Sequence, residues 1–187
     1  MSRIEEISER YSRHIATPWQ RTTAGAQRVI MAVYDKELER TLAARKILFE
    51  SATTQAGHAW QEIDLREVFP KWMAADEYRD AYFEQPSDLQ LKLESEFPHH
   101  VADILRAKLT APEVNDQTVV AVFGVATLFG LARFSEIIRL VERDIRGRLL
   151  VFFPGQFEHN NYRLLDARDG WNYLAIPITH FSDDYAP

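Results

Sequence analysis

Thr118-Val119-Val120-Ala121-Val122-Phe123-Gly124 is the stretch that decides the fold. It is apolar almost throughout, rich in β-branched side chains, and does not alternate with polar residues. Such a run reads as a strand buried on both faces. The glycine behind it reads as a tight turn from strand into helix.

Working downstream, Phe134, Ile137, Ile138, Val141 and Ile145 fall at i, i+3, i+4, i+7 and i+11. That spacing gives a helix one apolar face, and Gly147 closes it. Arg148 to Phe153 reads as a further strand, ended sharply by Pro154-Gly155. Beyond it, Tyr162 to Leu165 and Asn172 to Ile176 read as two strands joined through Ala167-Arg168-Asp169-Gly170. The Asp-Gly pair there is a hairpin signal.

Working upstream, Arg28 to Tyr34 reads as the first buried strand, with Asp35 as N-cap of a helix over Lys36 to Gln55. Gly57 stands where that helix stops, and Trp60 to Leu65 reads as the second strand. Ser2-Arg3-Ile4-Glu5 has the form of a capping box. Ile4, Ile7, Tyr11 and Ile15 then make a helical stripe that Thr17-Pro18 ends. Phe69 to Leu109 is polar and helical, punctuated by Pro70, Pro86 and Pro98. Strands alternating with helices imply a parallel sheet covered on both faces. The expected fold is therefore α/β: three-layer α/β/α with a mostly parallel sheet, a C-terminal antiparallel hairpin and a helical insertion at about 69–109, all within a single domain over 1–187.

The 187 residues suffice for one ordinary core. Aromatics at 12% supply large rings for it, which argues against disorder. A formal charge of -6 disfavours direct DNA binding by the chain alone unless its basic residues are segregated. No cysteine is present, which removes thiolate metal sites and thiol nucleophiles. The charged N-terminal stretch has no secretory apolar core, and Val119 to Leu131 is too short to span a bilayer. A soluble, cytoplasmic protein with no membrane role is the expectation.

Gly124 after a strand invites comparison with a phosphate-binding loop, which needs a Lys and then Ser or Thr. The run Gly124-Val-Ala-Thr-Leu-Phe-Gly130 has no such Lys, and none occurs after Lys108. Gly-x-Gly-x-x-Gly, Gly-x-Ser-x-Gly and His-Glu-x-x-His are all missing. No cofactor and no metal is expected. His99-His100 points its two rings apart on a helix, and His159 in Glu158-His159-Asn160-Asn161 reads as a turn.

In open parallel sheets, ligands gather beyond the carboxyl ends of the strands. That rule groups Asp35, Gly124, Pro154 and Gly155, with Arg133 within reach, as a candidate ligand or partner rim. In the plainer reading the glycines only make turns and Arg133 pairs with an acid. Asp35 and Asp64 would both stand at strand ends, which leaves a hydrolase reading open. Arg139, Arg143, Arg146 and Arg148 form a basic side offset by Glu136, Glu142 and Asp144, with Glu142 and Arg146 spaced for an i, i+4 pair. It is read either as a solvated face or as a docking face. Trp171, beside the hairpin turn, is the tryptophan expected to be exposed and a candidate interface anchor.

Val33-Tyr34-Asp35, Ile63-Asp64-Leu65, Phe123 to Glu136, Leu150 to Gly155 and Tyr162-Arg163-Leu164 together resemble the BrxB family. That family is the small B component of BREX (bacteriophage exclusion) loci. The Pro154-Gly155 strand end, the Gly124-Val125 turn and Arg133 carry the resemblance most specifically, while Asn172 to Ile176 departs from it. The resemblance implies a bacterial antiviral role as a non-catalytic adaptor or assembly factor. It implies as partner the alkaline-phosphatase-like (PglZ-like) component, with other BREX proteins as further partners. The alternative is a degenerate nucleotide- or nucleic-acid-sensing domain working through the strand-end rim.

Overall fold

A computed structural model describes residues 1–168 and 170–180 of the chain. The elements run α1 (Arg3–Ile15), β1 (Val29–Tyr34), α2 (Glu39–Arg45), α3 (Ile47–Gln55) and β2 (Ala59–Asp64). Then come α4 (Val68–Ala74), α5 (Arg79–Glu84), α6 (Gln90–Ser95), α7 (Phe97–Leu109) and β3 (Thr118–Phe123). The chain continues with α8 (Phe134–Val141), β4 (Arg148–Glu158), β5 (Asn161–Leu164), β6 (Trp171–Asn172) and β7 (Ile176–Ile178).

Five strands form a parallel sheet in the order β2-β3-β4-β1-β7. Period-two alternation divides their side chains between two cores. Val29, Met31, Val33, Val120, Val122, Leu149, Val151 and Phe153 face α7 and α8. Ile30, Ala32, Tyr34, Val119, Ala121, Leu150 and Phe152 face α1 and α3. Helices thus cover both faces, and the fold is a three-layer α/β/α.

Local signals account for the helix ends. The Ser2 side chain accepts from the Glu5 amide at 3.3 Å while the Ser2 amide donates to the Glu5 carboxylate at 2.7 Å, closing the capping box. Gly57 follows α3 at φ 85°, a left-handed backbone that glycine adopts without strain. The span expected as one helix, Lys36 to Gln55, is instead a 3-10 turn at Lys36–Leu38 followed by α2 and α3. Asp35 caps that turn by position only, with no side-chain bond to it. Helices α4 to α7 form the crossover from β2 to β3, where the helical insertion was expected.

Two expectations at the C-terminal end are corrected. Pro154-Gly155 does not end β4. Tyr34 opposes Pro154 in parallel register, and from Gly155 onward the same strand pairs antiparallel with β5. Proline removes one donor from a ladder, which a strand tolerates where it changes partner. The tight turn from β4 to β5 lies at His159-Asn160, with φ of 51° and 61°. Positive φ at both central residues is what a two-residue type I′ hairpin requires. β5 does pair antiparallel with β6, but Asn172 to Ile176 is no single strand: β6 ends at Asn172, and β7 adds in parallel to β1. Asp169 of the anticipated Asp-Gly turn lies outside the described residues.

Candidate functional site

The strand-end rim contains the residues that the topology rule groups, and its charges are satisfied within the chain. Asp35 leaves β1 and forms an ion pair with Arg3, with His180 Nε2 3.9 Å away. Neighbouring Lys36 pairs with Asp166. Asp64, at the end of β2, is held by the guanidinium fork of Arg66, with Nε at 2.9 Å and Nη2 at 2.6 Å from Oδ2. The Arg66 bond holds the Asp64 carboxyl below the usual carboxylate range, outweighing the upward push of burial.

Gly124 makes the expected turn out of β3 at φ 77°. The space beside it is already filled. A Cβ there would sit 2.7 Å from Arg66 Cγ and 2.9 Å from the Arg66 amide nitrogen. The loop after β2 thus packs directly against this turn. The side chain of Thr127 closes the turn by donating to the Gly124 carbonyl at 2.7 Å. Pro154 is buried in the sheet, and a Cβ on Gly155 would overlap the Arg163 carbonyl. Gly155 thus lets β4 pack closely on β5.

Arg133 stands apart from that rim. It is the N-cap residue of α8 and lines a groove of about 880 Å³ beside the sheet. Phe129, Leu131 and Trp171 share its walls, with Leu93 and Glu94 of α6 along one side. Gly130, at φ 75°, bends the loop that presents Phe129, whose ring is 49% exposed. The structure therefore brings Arg133 and Trp171 together and leaves Asp35, Gly124, Pro154 and Gly155 outside the groove.

Trp171 is half-buried and not the exposed ring expected from its place by a turn. It packs on Tyr162 at 5.3 Å, Tyr173 at 5.7 Å and Phe153 at 6.1 Å between ring centroids. It forms a rigid wall, while Phe129 is the projecting ring. Sequence reasoning passed over Phe129. A large apolar residue ahead of a left-handed glycine, in a loop between strand and helix, was the available signal.

The basic side over Arg139, Arg143 and Arg146 is not one helical face. Helix α8 ends at Val141, and Glu142–Asp144 form a 3-10 turn. Arg139 and Arg143 are exposed. Arg146 turns away and donates to the Val114 carbonyl at 2.9 Å. The expected Glu142–Arg146 pair is not made: the Glu142 carboxylate accepts from the Tyr173 hydroxyl at 2.8 Å instead.

Further large apolar side chains are exposed on α5 and α6. Leu91 of α6 is 74% exposed, and Phe83 of α5 is 71% exposed. Exposed apolar residues that stand singly are ordinary. Among the described residues no cluster of three or more His, Asp or Glu could hold a metal ion, and no helix is long and apolar enough to cross a membrane.

The class that fold and site define is a three-layer α/β/α domain with a packed strand-end rim and an aromatic groove at its side. The chain matches no family model, no curated protein and no solved structure.

Proposed function

We propose that this domain is a non-catalytic component of a BREX phage-defence system, an adaptor that docks onto the alkaline-phosphatase-like component. The observation that carries the proposal is the groove walled by Phe129, Leu131 and Trp171, with Arg133 lining it as well. Aromatic and arginine side chains around a concavity are the usual anchors of protein interfaces. The residues of the BrxB resemblance run through this groove, since Phe123 to Glu136 includes both Phe129 and Arg133.

The state of the rim supports the same reading. Asp35 and Asp64, the two acids a hydrolase would use there, are each engaged by an arginine. The turn at Gly124, which a nucleotide sensor would use, is filled by Arg66. Both features favour a surface that binds protein over a pocket that makes bonds.

The test is affinity capture from bacteria carrying a whole BREX locus. Tagged wild-type chain brings down the phosphatase-like component, and Phe129→Asp does not. Capture of no BREX protein by the wild-type chain sinks the proposal.

A further inference from the structure

A second cleft, of about 320 Å³, opens at the amino ends of the parallel strands, opposite the strand-end rim. Its lining includes Trp19, Arg21, Arg28, Arg146 and Arg148, with Asp116 as the carboxylate among them. Arg28 immediately precedes β1, Arg148 opens β4, and Arg146 lies just ahead of it. A Cβ on Gly147 would overlap the Thr118 carbonyl, so glycine there lets β4 start tightly against β3. That close approach sets Arg148 into the cleft at 8% exposure.

The guanidiniums are held in place by neutral groups. Arg28 donates to three carbonyls: Thr23 at 3.1 Å, Ile145 at 2.8 Å and Arg21 at 3.1 Å. Arg148 donates to the Gly147 carbonyl at 3.0 Å, and its guanidinium carbon lies 4.5 Å from the Trp19 ring centroid. Trp19 is itself stacked on His58 at 3.7 Å. Among the described residues none of these four arginines forms an ion pair with a carboxylate.

Four arginines around one small cleft, in a chain of net charge -6, create a local excess of positive charge. A cation as buried as Arg148 ordinarily needs a counter-charge, because water no longer screens it. The Arg28 charge raises that need. Burial, and then the Arg28 charge, push the Arg148 guanidinium below its ordinary value. An anion in the cleft would relieve this repulsion and use the N–H groups that the carbonyls leave over. Each guanidinium has five donors in a planar fork that matches phosphate geometry.

We propose that this cleft binds a phosphoryl group, with Arg148 and Arg28 as its fixed inner ligands and Arg21 and Arg146 closing over it. The cleft is at the small end for ligand pockets, so it holds the phosphate portion of a ligand and leaves the remainder outside. The phosphate of a small polyphosphate and that of a nucleic-acid strand share this chemistry.

Isothermal titration of the whole chain with inorganic pyrophosphate at low salt tests the assignment. Saturable binding is expected for wild type. Arg21 is exposed, and its side chain bonds to no other group among the described residues. Arg21→Gln should therefore weaken binding by about tenfold without disturbing the fold, and Arg148→Gln should abolish it. Arg21→Gln keeps the test decisive if Arg148→Gln does not fold. A single-stranded oligonucleotide that competes with pyrophosphate identifies nucleic acid as the source; one that does not compete identifies a small polyphosphate. No heat from pyrophosphate with wild type, or equal binding by wild type and Arg21→Gln, overturns the proposal.

Discussion

The Tyr11 hydroxyl lies 2.6 Å from Thr53 Oγ1, deep between α1 and α3. Thr53 spends its own proton on the Phe49 carbonyl at 2.8 Å, so Tyr11 is the donor and Thr53 the acceptor. Burial pushes the Tyr11 phenol well above its ordinary range, which keeps the donor proton in place. The first helix is thus fastened to the third by one directed bond within an otherwise apolar core.

Breaking that bond from its two ends has unequal cost. Tyr11→Phe removes the donor and leaves Thr53 bonded to Phe49, costing about 1 kcal/mol. Thr53→Val strands a buried hydroxyl donor and costs about 2–3 kcal/mol. The double variant should cost less than the sum of the two, because a phenylalanine ring in place of Tyr11 needs no acceptor. Urea unfolding of the four proteins measures this, and strictly additive losses would show that the pair is not coupled.

Gly57 and Gly124 are needed for different reasons. Gly57 and Gly124 both have positive φ, but only Gly124 has neighbours within reach of a Cβ. Gly57→Ala should cost about 1 kcal/mol, from the left-handed backbone alone. Gly124→Ala adds the collision with Arg66 and should cost at least about 2 kcal/mol more than that, given its packed surroundings. Thermal unfolding compares them directly. Equal losses would mean that the loop after β2 yields easily and that the turn is not filled as described.

Stability should also fall on mild acidification through His14. Burial, and secondarily the Arg148 charge, hold its pKa below the ordinary 6.5. The unfolded chain therefore takes up the proton at higher pH than the folded chain does. Its contribution is complete above 6.5 and is lost as the pH falls toward the lower folded value. His180, lowered chiefly by burial, acts with the same sign. Carboxylates such as Glu5, lowered from 4.5, act in a more acidic window. His14→Gln should flatten the decline in Tm between 6.5 and 4.5, and an unchanged curve would rule this source out.

Much of the central sheet was legible because a strand buried on both faces must be apolar at every position. Val29 to Tyr34 and Thr118 to Phe123 are such runs, and both became parallel strands. The edge of the sheet was harder to read. β7 is three residues long and contains Pro177, so no local pattern announces it. Pro154 looked like a strand end because its missing donor is visible in the sequence, whereas the change of partner from β1 to β5 is a long-range fact. The interruption after Arg45 falls at no glycine or proline. It falls where Lys46 reaches Glu62 of β2 at 2.7 Å, a contact made only in the folded chain.

The site was partly legible for the same reason. Asp35 and Gly124 do follow the ends of β1 and β3, but the strand-end rule cannot say whether a rim is open or filled by its own loops. Arg133 was singled out and Phe129 was not, although the two line one groove. The arginines of the second cleft are far apart in sequence, from Arg21 to Arg148, so only the sheet brings them together.

The most direct test of the docking account is a binding titration between the purified chain and a purified BREX alkaline-phosphatase-like protein. Wild type should saturate, and Phe129→Asp should weaken binding by at least about tenfold with its melting temperature little changed, because that ring is half exposed. No measurable binding by wild type, or a Phe129→Asp affinity equal to wild type, would contradict the account.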